Sequence, residues 1–204
     1  MDEKLTAILK KAGEMFMQYG LRNVSMDDIC RELGISKKTL YKYVDNKADL
    51  IEQLMNYNAD RFSCDPHFFD GKKFNAIDIL FEVSQIISEN IKNTKAHLKF
   101  ELQKYYTDIY KKYQTIKNEQ IFEAIIHNIE QGIKEGIYRE DLNIEVVAKL
   151  YMKKLEDIHD SDLFESINIS FEQIFEIMFE NHIRGISNKK GVAYMEERKK
   201  KLNF

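Results

Sequence analysis

The 204-residue chain has a single proline, Pro66, and eight glycines. A sequence so poor in helix breakers, with apolar residues recurring at 3.6-residue spacing along its length, reads as all-α. Cysteine is scarce too: Cys30 falls on an apolar helix face, Cys64 in an expected loop, and no metal-ligand spacing links them. A reduced, cytoplasmic protein is the plain expectation. No apolar run approaches the ~20 residues needed to span a bilayer. The opening MDEKLTAILKKAGEMF is acidic and amphipathic where a signal peptide is basic and then apolar, so no membrane partner is expected. An excess of positive charge is also lacking, with 31 basic against 34 acidic residues and a net charge of -3. That balance excludes a protein that coats nucleic acid with its whole surface. It leaves room for a small basic footprint, because screening limits each charge's reach to about 10 Å at moderate salt.

Signatures of catalysis are missing as well. The five histidines form no H-E-x-x-H, and there is neither a P-loop lysine motif nor a nucleophile elbow. A di-iron site in a helical bundle needs two Glu-x-x-His motifs and two further inward glutamates. Only Glu156 to His159 fits that spacing, near a helix end. No catalytic residue, metal or cofactor is therefore expected.

What the chain does contain is a compact pattern from Ser25 to Lys47, SMDDICRELGISKKTLYKYVDNK. Ser25 is placed to cap a helix, with Asp27 and Asp28 favourable to its dipole. Met26, Ile29, Cys30 and Leu33 fall at i, i+3, i+4 and i+7, one face of an α-helix. Gly34 follows, where a left-handed residue is cheapest. Ser36 caps a second helix in which Leu40 and Val44 face inward while Lys38, Tyr41 and Lys42 project from the other side. A short helix with an apolar back and a basic, hydroxyl-bearing front, held by a tight turn, is the helix-turn-helix that enters a major groove. The stripe Leu5, Ile8, Leu9, Ala12, Met15, Phe16 and Tyr19, stopped by Gly20, supplies a third helix to cover their backs.

This run resembles the N-terminal domain of TetR-type transcriptional regulators. The matching positions are Ser25, Ile29 and Cys30, Gly34, Ile35 and Ser36, Thr39, Leu40 and Tyr41, Tyr43 and Val44, and Lys47. Leu33, Lys38 and Val44 depart from the usual small residue, Gly and Phe. Lys38 is the departure that matters, because it adds a cation where the family often lets the backbone approach DNA. The segment from Gly136, GIYREDLN, and the run NHIRGISNKKG resemble later parts of the same family.

Further along, Asn46 and Asp49 predict the start of a fourth helix. The segment FSCDPHFFDGKK reads as a loop, with Pro66 and Gly71 as breakers. A fifth helix is expected from about Phe74 to Asn93, a sixth around Leu98 and Leu102, and a seventh from about Asp108 to Glu135. Asn143 caps an eighth, with Val146, Val147, Leu150 and Tyr151 read as inward, and Ser170 with Gln173 caps a ninth. The charge run EERKKKLNF reads as a solvated helix or frayed tail.

The expected organisation is a helix-turn-helix DNA-binding domain at residues 1–47 and a helical bundle for ligand binding and dimerisation at residues 48–204. Phosphates would be held by Ser25, Ser36, Tyr41 and Lys47, and base edges read by Lys37, Lys38, Thr39 and Lys42; Tyr43 serves either purpose or packs. For Lys47 the reason is that a helix dipole disfavours a cation in its first turn, so an outside anion is invoked. Because one recognition helix reads few bases, a homodimer on a palindromic operator in double-stranded DNA is expected. The family resemblance implies a small apolar or amphipathic effector that releases a repressor, with Phe81, Phe100, Tyr106, Tyr110, Phe122, His127 and Tyr151 as candidate pocket residues. Each is also readable as core filling, and for His127 a hydrogen-bonded core role is the commoner one. Two other readings stay open: a helix-turn-helix protein-interaction module that does not bind DNA, and a helical-bundle metal or ligand protein.

Overall fold

A computed structural model describes residues 2–59, 74–93, 96–158 and 169–202. Among them lie ten α-helices: α1 Glu3–Tyr19, α2 Met26–Leu33, α3 Lys37–Leu40, α4 Lys47–Ala59, α5 Ala76–Asn93, α6 Ala96–Tyr105, α7 Thr107–Lys134, α8 Ile144–Asp157, α9 Phe171–Ile186 and α10 Lys189–Leu202. The described residues contain no strand, only an isolated antiparallel bridge between Tyr138 and Ser187. The all-α expectation holds. The expected loop with Cys64, Pro66 and Gly71, and His159 of the Glu-x-x-His pair, lie outside the described residues.

The chain divides into two compact units, residues 1–62 with 93–117, and residues 63–92 with 118–204. Packing therefore draws the boundary elsewhere than the 47/48 division that the motif suggests. A unit of about 47 residues buries too small a share of its surface to be more than marginally stable. In the first unit, α4, α6 and the start of α7 add to the core. The α1 stripe, with Ile8, Leu9, Ala12, Met15 and Phe16 buried, packs with Ile29, Cys30, Leu40, Val44, Leu50, Ile51, Leu54 and Leu102; Leu98, Tyr106, Ile109 and Tyr110 cover this core. Glu52 of α4 and Lys112 of α7 form an ion pair at its edge. Asn46 caps α4 by accepting from the Asp49 amide at 3.0 Å.

The second unit is built around Ile77, Leu80 and Phe81 of α5, Ile125 and Ile129 of α7, Ala148 and Tyr151 of α8, Phe179, Ile183 and Ile186 of α9, and Met195 of α10. Gly136 ends α7 and lets Tyr138 turn back into this core, where its hydroxyl donates to Asn128 at 3.2 Å. Asn128 in turn donates to the Ala76 carbonyl at 2.8 Å, so one buried chain of hydrogen bonds joins the turn to the start of α5. Ser170 and Gln173 form the expected capping box of α9.

The C-terminal charge run forms the end of α10, with Glu196, Glu197, Lys200 and Lys201 exposed as expected of a solvated helix. That helix is docked by Met195, which is fully buried, by Tyr194, which donates to Asp78 at 2.9 Å, and by the Arg198 guanidinium, 3.0 Å from the same carboxylate. Asp78 is a buried acid on α5, and a buried carboxylate requires such partners. On α8, Tyr151 is buried as expected, but Val146 is 49% and Leu150 61% exposed, and Ile177 on α9 is 54% exposed. The apolar stripes of these two helices are wider than the chain's own core covers.

Candidate nucleic-acid interface

The helix-turn-helix is fixed by local hydrogen bonds. Ser25 and Asp28 form a reciprocal capping box at α2: the Asp28 amide donates to Ser25 Oγ at 3.1 Å, and the Ser25 amide to Asp28 Oδ2 at 2.9 Å. The Ser25 hydroxyl also donates to Asp28 at 2.6 Å, and together these bonds hold the Asp28 carboxyl below its usual range. Gly34 takes the left-handed conformation, φ 64°, that closes α2, and the Ile35 amide donates to the Cys30 carbonyl at 3.0 Å. Ser36 then caps α3, accepting from the Thr39 amide at 3.1 Å, with the two hydroxyls 2.9 Å apart.

Leu40 and Val44 are buried behind α3. On the opposite side Lys38, Tyr41 and Lys42 are exposed, Tyr41 at 47%. These three and the N-terminal residues of α3 form one cationic, hydroxyl-bearing surface. Tyr43 is half-buried against the core of the first unit. Lys37 is exposed but paired, its ammonium 2.7 Å from Asp27 of α2, and this bond raises its pKa. Sequence periodicity gave no sign of that acid partner, because Asp27 reads there as a dipole-favouring residue of the first turn.

Lys47 is placed differently from its expected role. Its ammonium turns inward and donates to the carbonyls of Leu21 and Val24, the latter at 2.5 Å. Burial lowers its pKa, opposed by the negative charges of Glu101 and Asp28. The cation that the dipole disfavours at the start of α4 is thus accounted for by two main-chain acceptors of its own chain.

The seven candidate pocket residues are divided between the two units. Phe100, Tyr106 and Tyr110 belong to the first unit; Phe100 is 58% exposed, and the two tyrosines pack on the helix-turn-helix core, where burial raises their pKa. Phe81, Phe122, His127 and Tyr151 belong to the second unit. Phe81 meets Phe179 edge-on at 5.8 Å. Tyr151 stacks on His182 with ring centres 3.7 Å apart. Burial, aided by the charge of Lys154, pushes the His182 pKa down to about 4. Phe122 and His127 are half-buried along α7. Among the described residues no group of three or more His, Cys, Asp or Glu could hold a metal ion, and no helix is long and apolar enough to cross a membrane.

A capped helix pair with a left-handed glycine turn and a free cationic front defines a helix-turn-helix DNA-binding unit. Residues 8–54 match the family model for bacterial regulatory proteins of the tetR family. The chain is similar to the HTH-type transcriptional repressor KstR2 of Mycobacterium tuberculosis, 24% identical over 145 residues covering 70% of this chain and 72% of that protein. Among solved structures it is similar to a transcriptional regulator from Cytophaga hutchinsonii, with a TM-score of 0.75 and 17% identity over 92% of this chain and all of that one. Another is a transcriptional regulator from Saccharomonospora viridis in complex with choline, with a TM-score of 0.66 and 16% identity over 93% of this chain and 100% of that one. The match thus places a helix-turn-helix of the tetR type in residues 8–54.

Proposed function

We propose that this regulator is a homodimeric repressor that binds a palindromic operator and is released by a small-molecule effector. The observation that carries the DNA-reading part is the capped α3 and the turn after it, where Lys38, Tyr41 and Lys42 face solvent and Leu40 and Val44 are buried behind them. Lys38, Thr39 and Lys42, with Lys37 once it leaves Asp27, are the base-reading candidates. Ser25, Ser36 and Tyr41 contact phosphates, and Tyr43 positions α3 through its packing. Lys47 is left out of these contacts because two main-chain carbonyls of its own chain already accept from its ammonium.

Dimerisation is supported by Val146, Leu150 and Ile177, large apolar side chains left in water on α8 and α9. Exposed apolar side chains of this size on two helices suit a second copy in a four-helix arrangement, which presents two α3 helices to half-sites ~34 Å apart. The effector site is assigned to the second unit, whose aromatic residues Phe81, Phe122 and Tyr151 offer an apolar lining and His127 a polar handle. The choline bound to the similar regulator from Saccharomonospora viridis makes a small organic molecule the reasonable class. An effector that prefers one conformation by about 1 to 3 kcal/mol would change operator affinity 5- to 150-fold.

Selection of bound duplexes from a random pool with the full-length chain is the deciding experiment. Recovery of a two-fold symmetric sequence is expected. Recovery of no enriched sequence refutes DNA reading, and enrichment of an asymmetric half-site alone refutes the two-headed mode.

A further inference from the structure

The connection between α1 and α2 is gripped from both sides by opposite charges. The Leu21 amide donates to Glu101 Oε2 at 2.5 Å, while the Leu21 carbonyl accepts from the Lys47 ammonium. Glu101 comes from α6, 80 residues further along the chain, and Lys47 from the first turn of α4. Gly20 suits this approach: its φ of +86° favours glycine, and a β-carbon there would sit tightly, 3.3 and 3.4 Å from the two Glu101 oxygens. One residue beyond Leu21, Arg22 donates to the Tyr105 hydroxyl at 3.1 Å and lays its guanidinium 4.8 Å from that ring's centre. α6 therefore grips this connection at two successive residues.

The grip lies directly upstream of the reading head. Leu21 and Val24 are buried in the core of the first unit, and Ser25, the cap of α2, is the next residue. Where Leu21 to Val24 lie thus sets where α2 begins, and α2 carries α3 through the Gly34 turn. Drawing Lys47 toward a phosphate would leave two main-chain carbonyls without their donor, and a buried polar group without a partner is costly. Glu101 is an anion and is repelled by phosphate, so any help it gives to DNA binding must be indirect.

We infer that Glu101 and Lys47 are positioning residues for DNA reading, which fix Leu21 between α6 and α4 without touching DNA. The inference rests on the DNA-reading role of α3.

The test uses the full-length chain and the duplex recovered by the selection described above, with binding measured by fluorescence anisotropy across a salt series. Circular dichroism sets a temperature at which every variant is folded. Loss of a hydrogen bond to a charged group is expected to weaken binding about tenfold in Lys47→Met, with an unchanged slope of log K against log salt. A slope shallower by about 0.9, the loss of one phosphate contact, overturns the positioning role of Lys47. Glu101→Ala removes a negative charge, which by charge alone tightens binding to DNA; about tenfold weaker binding is expected instead. Glu101→Gln, whose amide oxygen still accepts the Leu21 N–H, is expected to bind within about threefold of the unmodified chain. Wild-type or tighter affinity in Glu101→Ala overturns the role of Glu101. If the unmodified chain recovers no duplex, DNA reading itself fails; if it binds and the variants match it, only the positioning role fails.

Discussion

The ring of Tyr138 lies directly over the backbone of Gly132, two residues before the end of α7, and a β-carbon at Gly132 would stand 2.0 Å from the Tyr138 ring. Both residues are buried, and the ring is held by its hydrogen bond to Asn128. In an ordinary helix, Gly→Ala stabilises by about 1 kcal/mol. Here the sign reverses: Gly132→Ala is expected to cost about 1 to 3 kcal/mol through overpacking, read as a lower midpoint in thermal melts. A raised midpoint would show that the Tyr138 ring moves aside freely.

Asp27 restrains the charge of the recognition helix. Both members of the Asp27–Lys37 pair are more than half exposed, so the bond contributes little to stability. Its effect falls on DNA. Asp27→Asn frees Lys37 and removes an anion beside α3, and is expected to tighten binding to random-sequence duplex by about two- to fivefold, with a salt slope steeper by up to ~0.9. Anisotropy titrations in a salt series measure both. Unchanged affinity and slope would mean that Asp27 does not restrain the charge that α3 presents to DNA.

The exposed stripe on α8 and α9 gives a direct handle on assembly. Leu150, the most exposed of its large apolar residues, would be covered in a dimer, and Leu150→Glu would place a charge there that has no partner. A buried unpaired charge costs several kcal/mol, so a dimer of the unmodified chain is expected to become a monomer at micromolar concentration. Sedimentation equilibrium decides it, and a variant that remains dimeric moves the interface elsewhere.

His182 gives the fold an acid limb. Its pKa of about 4 in the folded chain lies below the ordinary 6.5, so between these values the unfolded chain binds a proton that the folded chain refuses. Stability is therefore unaffected above about pH 6.5 and falls as pH drops toward 4, by up to about 3 kcal/mol at 1.36 kcal/mol per pKa unit. His182→Gln is expected to flatten that part of the profile in thermal melts run from pH 7 to pH 4.5. Parallel profiles in the two proteins would remove His182 as the cause.

What was legible in the sequence was what is local. Ser25, Gly34 and Ser36 act on amides and carbonyls within four residues, so their spacing alone announces α2, the turn and α3. Lys47 was not legible in the same way. Its acceptors are carbonyls 23 and 26 residues earlier, and a carbonyl has no letter in a sequence. Glu101 left still less trace, as one acid beside an apolar stripe. The final helix was obscured by its own charges, since the anchors Tyr194, Met195 and Arg198 recur at helical spacing among lysines and glutamates. For Val146 and Leu150, periodicity identifies an apolar face but not which molecule covers it. The aromatic residues of the expected pocket stand out by type alone, and type does not separate a ring that fills a core, such as Phe81, from one left in water, such as Phe100.

Because the first compact unit is closed by residues 93–117, its order of assembly differs from its order along the gene. During synthesis at about 5–20 residues per second, the helix-turn-helix leaves the ribosome several seconds before α6 can cover it and before Glu101 can reach Leu21. The reading head thus matures late, when more than half of the polypeptide has been made. A nascent chain cut short before α6 would carry every motif that marks it as a DNA-binding protein, yet lack the side chains that complete the fold of its own first fifty residues.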